Sequence, residues 1–277
     1  MSRRPFWLAV CVASHAAWGF YPVLGRYLQV KRGLDGVALL GVTNLMALVL
    51  LKMYQAAASL VSSDNEEETD TGMFQDGVWR VGIGYSCIMI CRQATNMLTV
   101  NYTFAIYAQV ATQLGPFLVV PLTKMILPEE KLPQYLLPAM LLSFLGAAMV
   151  IAGQSSSLPT GFTSDDAIGL SLAGVSVVFS ALMRVYMKWS EAKLDTTALA
   201  SWGYLNSIPF LLVTVCRAPD SDLDSSGNGW YSRWLSLDLI DGGVIAIFTV
   251  GILMIGNFAQ VSSVRHLGHL GEPFFIY

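Results

Sequence analysis

FWLAVCVASHAAWGFYPVLGRY, Phe6 to Tyr27, runs without an Asp, Glu or Lys. About 20 such residues in a helix cross a hydrocarbon core of about 30 Å, so this stretch reads as a membrane span and decides the fold class. Ser2, Arg3 and Arg4 precede it like the charged start of a signal sequence. The run is too long for one, and no small-residue cleavage site follows, so it reads as a retained first helix.

Working outward, similar apolar runs lie at about 36–58, 81–100, 103–127 and 133–153. A stretch rich in Ser, Thr, Gly and Asp, 154–166, separates them from runs at 168–188, 197–216 and 239–262 and from an unfinished one beginning near Leu267. The whole chain of 277 residues is only 13% charged and 54% hydrophobic, with mean hydropathy +0.55. A soluble domain is near a quarter charged. The expected fold is therefore all-α, a polytopic helical membrane protein whose function sits among its helices. A net charge of -3 offers no basic surface for nucleic acid. Cys11, Cys87, Cys91 and Cys216 fall mostly inside apolar runs and read as small packing residues without a disulfide.

Orientation follows the excess of Lys and Arg on the cytosolic side. With the N-terminus inside, ten basic residues outside the span centres fall on the cytosolic side and five on the other, so the expected localisation is integral membrane, multi-pass, N-terminus cytosolic. Neither the plasma membrane nor an endomembrane is singled out. Asn101, Tyr102 and Thr103 form a glycosylation sequon. It hugs the membrane in a short turn and is expected to stay unmodified.

Five runs precede the polar stretch, and the two halves resemble one another weakly. Trp18-Gly19-Phe20 sets against Phe179-Ser180-Ala181 at an offset of 161, and Pro116-Phe117 against Pro273-Phe274 at an offset of 157. An odd number of spans per unit turns successive units upside down, the inverted-repeat plan of secondary transporters. The expected organisation is a first five-helix repeat over 1–153, a polar linker over 154–167 and a second repeat over 168–277. Helix nine would be incomplete and helix ten absent, a C-terminal truncation of roughly 35 to 50 residues on the repeat's arithmetic.

Three local patterns resemble the drug/metabolite transporter superfamily, EamA type. They are AAWGFYPV, Ala16 to Val23; QVATQLGPFLVVPLTKMILPEEKLP, Gln109 to Pro133; and a Gly-rich fifth helix with Gly146 and Gly153. In the turn of the second pattern Glu129 replaces the family's Gly, while Glu130, Lys131 and Leu132 match. The resemblance implies a ten-helix fold of two inverted halves and a transmembrane transporter activity by alternating access. The cargo would be a small polar or anionic metabolite, such as an amino acid or organic acid. A nucleotide-sugar or sugar-phosphate exchanger of the same superfamily, or a non-transporting scaffold or fragment, is the alternative.

Ionisable groups at membrane depth point to a site, since each costs about 2.5 to 3.5 kcal/mol to insert. Arg92 stands about 18 Å from the cytosolic end of its run, and His15 and Gln113 reach a similar depth. Asn96 is i+4 to Arg92, and Gln113 is i+4 to Gln109. The candidate substrate-binding residues are His15, Trp18, Arg92, Asn96, Gln109, Gln113 and Glu272. Arg92 would hold a carboxylate or phosphate in its fork, His15 would take a proton or hydrogen-bond the substrate, and Trp18 would stack or gate. Alternatively Arg92 pairs with Glu272 and only locks two helices. Arg184 and Lys124 lie near cytosolic ends and are expected to snorkel. The spacing of His266, His269 and Glu272 is too weak to imply a metal. An intramembrane enzyme would need a Ser/His pair, an Asp dyad or a metal motif at depth, and the Asp residues lie only in loops or at helix ends, so an enzyme is not expected. The partners expected are a small-molecule substrate, membrane lipid and a coupled proton or exchanged metabolite, with no cofactor and no nucleic acid; a homodimer is compatible.

Overall fold

The computed structural model describes residues 4–61, 78–112, 114–130, parts of 137–149, 163–191, 193–217 and 230–267, and every regular element among them is helical. The first span is composite: α1 (Arg4–Gly19), α2 (Tyr21–Arg26) and a π-helical turn (Tyr27–Lys31). It breaks at Phe20 because Pro22, within the first turn of α2, brings no amide to continue the ladder. α3 (Gly36–Val61) and α4 (Val78–Tyr102) follow as unbroken helices. The run expected over 103–127 divides into α5 (Ala105–Thr112) and α6 (Gly115–Ile126), again just before a proline, Pro116.

After the polar stretch, α7 (Ser164–Ser190) begins four residues earlier than the run read from hydropathy. Its start is fixed by a capping box, in which the Thr163 side chain accepts from the Asp166 amide and the Asp166 side chain accepts from the Thr163 amide. The run at 197–216 is two helices, α8 (Thr196–Tyr204) and α9 (Ser207–Arg217). Pro209 explains the interruption, since its ring would crowd the Leu205 carbonyl in a continuous helix. A short α10 (Trp230–Leu235) leads to α11 (Leu239–Ala246), a π-helical stretch (Ile247–Gly256) and α12 (Asn257–Leu267), one continuous rod.

Five helical segments are long and apolar enough to cross a membrane: Phe6–Lys31, Gly36–Ala57, Ser164–Ser190, Thr196–Arg217 and Leu239–Ser262. Large apolar side chains such as Val49, Val175, Ile208, Leu212 and Ile255 are exposed around the bundle, a belt that a soluble protein would not leave in water. This is a membrane protein. α4 has the length of a span but carries Arg92, Gln93 and Asn96 along it. Arg92 and Gln93 are turned inward, both buried.

α4 lies along α7, α3 along α9, and α1 against α12 and the π-helical stretch before it. α5 and α6 pack on α7, α8 packs on α4, and the long π-helical stretch packs on α3. In lipid such contacts depend on close approach and on polar links rather than on water exclusion. Gly169 of α7 meets Thr103 so closely that a methyl group there would stand 2.6 Å from the Thr103 Cβ. Asn44 and Gln93 exchange two hydrogen bonds of 3.2 Å between α3 and α4. One apolar core gathers Tyr21, Leu28, Leu39, Met97 and Phe248, and a second gathers Tyr85, Met89, Met183, Leu199 and Trp202. Cys11 is buried as expected of a packing residue, but Cys87 and Cys216 are exposed on the outer faces of their helices, so they fill no core.

Candidate substrate cavity

A cavity of about 340 Å³ lies between the first span, α4, the α5–α6 break, α7 and α12. The α1–α2 break brings Trp18 and Tyr21 to its wall, and His15 lies one turn earlier. From α4 come Arg92 and Asn96, one turn apart on one face. α7 contributes Ser176, Ser180 and Arg184, a stripe repeating every four residues. Thr112 and Gly115 flank the α5–α6 break, and Gln260 enters from α12.

Arg92 is held on several sides. Its Nε donates to Ser180 Oγ at 3.1 Å, its Nη1 lies 3.3 Å from Met183 Sδ, and its guanidinium sits over the Trp18 ring, 4.6 Å from the centroid. The π-face and the soft sulfur replace part of the lost hydration. Thus the cation is buried yet oriented.

His15 Nδ1 stands 2.9 Å from the carbonyl oxygen of Cys11, one turn back on its own helix. A carbonyl only accepts, so Nδ1 carries the hydrogen and this bond fixes the ring's orientation.

Of the residues expected from sequence, His15, Trp18, Arg92 and Asn96 are brought together around this cavity. Gln109 belongs to α5, but its side chain lies outside the described residues, as do Gln113 and Glu272 and therefore the alternative Arg92–Glu272 pair. Lys124 is exposed and donates to the Glu130 carbonyl at 2.7 Å, as a snorkelling lysine does.

Arg184 corrects the expectation of snorkelling. It is 7% exposed and lines the cavity, because it continues the face of Ser176 and Ser180 that α7 turns toward α4. Its Nε is buried without a hydrogen-bond partner among the described residues. A Cβ at Gly115, the first residue of α6, would stand 3.7 Å from its Nη1. The four-residue spacing of Ser176, Ser180 and Arg184 was the available sequence signal for this second cation.

The described lining thus carries two guanidiniums and no carboxylate. Like charges in a site of low dielectric repel strongly, so such a cavity favours an anionic occupant.

At one end of the bundle, Asp241 receives the Tyr27 hydroxyl at 2.9 Å and pairs with Arg32 Nε at 2.7 Å, while Arg32 Nη2 reaches Asp238 at 3.1 Å. The Tyr27 hydroxyl and then the Asp241 carboxylate hold Arg32 further on its charged side. At the opposite end the Tyr186 hydroxyl donates to the Val81 carbonyl at 2.9 Å.

No family model and no curated protein matches this chain. Solved structures do: one, described only as a crystal structure of a protein, superposes with a TM-score of 0.65 over 97% of this chain and 84% of its own length, at 15% identity. The likeness is one of fold.

Proposed function

We propose that the chain is a secondary active transporter that moves a small polar or anionic metabolite by alternating access between two inverted units, 1–153 and 168–277, with its N-terminus in the cytosol. The observation that carries this reading is the cavity itself, in which Arg92 and His15 of the first unit face Arg184 and Gln260 of the second. A buried polar site at the junction of two units is where inverted-repeat carriers bind their cargo. The EamA-type resemblance of Ala16–Val23 and Gln109–Pro133 points the same way.

Two sets of hydrogen bonds support the repeat. Tyr27 bonds Asp241 and Tyr186 bonds Val81, so Tyr27 answers Tyr186 at an offset of 159 residues and Val81 answers Asp241 at an offset of 160. Asn44 bonds Gln93 and Tyr204 bonds the Leu253 carbonyl, both positions displaced by 160 residues. Packing follows suit, since α4 on α7 answers the α11–α12 rod on α1. Exchanging the halves maps each contact onto the other.

The two guanidiniums also favour, as the second reading, an exchanger of sugar phosphates or nucleotide sugars in the same superfamily. Proteoliposomes preloaded with a metabolite mixture and assayed for counterflow of labelled amino acids, organic acids and sugar phosphates test both. Saturable uptake that falls at least tenfold in Arg92→Gln is expected. Uptake at the level of empty liposomes for every cargo would remove the carrier reading.

A further inference from the structure

We infer that the cavity is built for an organic dianion, a cargo with two negative charges, of which the second is held by Arg184 together with the N-terminus of α6. The inference rests on the carrier reading and names its substrate class. Arg184 is more than nine-tenths buried, and its Nε is without a hydrogen-bond partner among the described residues. A buried guanidinium N–H without an acceptor is costly, and an anion in the cavity would supply one.

The place where such an anion would sit has a second source of positive potential. Arg184 Nη1 lies beside Gly115, where α6 restarts after the break in its span. No side chain caps that start, since Leu114 makes no capping hydrogen bond. Pro116 brings no amide to this first turn and the Phe117 amide already donates to the Leu114 carbonyl at 3.1 Å, so what the turn offers an anion is chiefly the positive end of the helix dipole. A Cβ at Gly115 would stand 3.7 Å from Arg184 Nη1, so the guanidinium lies alongside the start of the helix.

The first anion position is separate. Arg92 is fixed by Ser180 and the Trp18 ring, and Ser180 lies one turn before Arg184 on α7. One helical turn is about 5.4 Å, so both cations stand on one wall of the cavity, where the two carboxylates of a short dicarboxylate would take one cation each and a phosphate monoester would present its two charges to both from one group. A monocarboxylate would leave one of the two cations uncompensated. Selectivity is therefore expected to follow charge number before skeleton.

The test uses the purified full chain in lipid nanodiscs, with thermal stabilisation read as apparent Kd for four probes: glutarate, its monomethyl ester, glycerol 3-phosphate and glycerol. In the wild type glutarate is expected to bind about tenfold or more tighter than its monomethyl ester, which lacks one charge, or glycerol 3-phosphate tighter than that methyl ester by the same factor, with glycerol as the uncharged control. Preference for glutarate or for glycerol 3-phosphate tells a dicarboxylate from a phosphate ester. Arg184→Gln is expected to erase the preference for the dianion, so that glutarate and its monomethyl ester bind with apparent Kd values within about twofold of one another. Equal binding of charged and less charged partners in the wild type, or an unchanged preference in Arg184→Gln, overturns the inference. The wild-type comparison stands even where the variant does not fold. Counterflow with the same probes separates the two levels: a dianion that binds through Arg184 but is not carried sinks the carrier reading alone, and carried monomethyl glutarate without dianion preference sinks this inference alone.

Discussion

The Tyr27 hydroxyl donates to a carboxylate oxygen of Asp241 at 2.9 Å, fastening the end of the first span to the start of α11. Asp241 also accepts from Arg32 and from the Asp238 amide, so one buried carboxylate joins the loop, the π-helical turn and the helix cap. Removing its charge leaves Arg32 without its closest partner. Asp241→Asn is expected to cost about 1 to 3 kcal/mol, and Tyr27→Phe about 1 kcal/mol. Because both act on one network, the double variant should lose less than the sum. Denaturant titration of the detergent-solubilised protein measures all three, and strict additivity would show that the two contacts are independent.

The orientation of the two units gives a topological prediction. Lys31 ends the first span and Lys193 follows α7, and both are exposed. If the second unit is inverted, these positions lie on opposite sides of the membrane. In a background lacking the four native cysteines, a membrane-impermeant maleimide added outside sealed cells should label Lys31→Cys and spare Lys193→Cys until the membrane is opened. Labelling of both from one side would rule out the inverted arrangement.

Close approach of α7 to the end of α4 yields a paired test. At Gly169 an added methyl meets the Thr103 Cβ at 2.6 Å and its backbone nitrogen at 3.0 Å, whereas at Gly174 it meets nothing within 4 Å. The backbone cannot swing aside as a flexible side chain would. Gly169→Ala should therefore destabilise by about 1 to 3 kcal/mol. Gly174→Ala should be neutral or slightly stabilising, since alanine loses less backbone freedom. Thermal melting in detergent compares them, and equal melting temperatures would contradict the packing.

Much of the architecture could be read from residues in order. A rise of 1.5 Å per residue converts position in a run into depth, which is why His15, Trp18 and Arg92 could be selected from sequence and do line the cavity. Prolines accompany three helix breaks, at Pro22, Pro116 and Pro209, and each works the same way, by withholding an amide and crowding the preceding turn. Depth was a poor guide to Arg184, because proximity to a helix end permits snorkelling but does not decide it. The deciding fact is which face of α7 turns toward α4, and that is set by packing between segments far apart in sequence. The π-helical stretch over Ile247–Gly256 had no legible signature either. Its apolar residues fit an α-helical pattern equally well, and the extra residue per turn arises only against neighbouring helices.

Trp18 offers the sharpest test of how the first cation is poised. Its ring face lies 4.6 Å below the Arg92 guanidinium and its centroid is 5.4 Å from that of Tyr21, so it both orients the cation and closes the wall. Replacing the ring with Leu keeps apolar bulk but removes the quadrupole, a loss of about 0.5 to 2 kcal/mol of cation–π energy. Trp18→Leu should then weaken binding of a dianion such as glutarate about 2- to 30-fold, because Arg92 would sample other rotamers before each encounter. Trp18→Phe, which keeps a π-face, should retain most of the affinity. Isothermal titration of the three proteins in nanodiscs provides the comparison. A loss as large in Trp18→Phe as in Trp18→Leu would mean that the indole acts through its size or its N–H group, and the cation–π account of Arg92 would have to be abandoned.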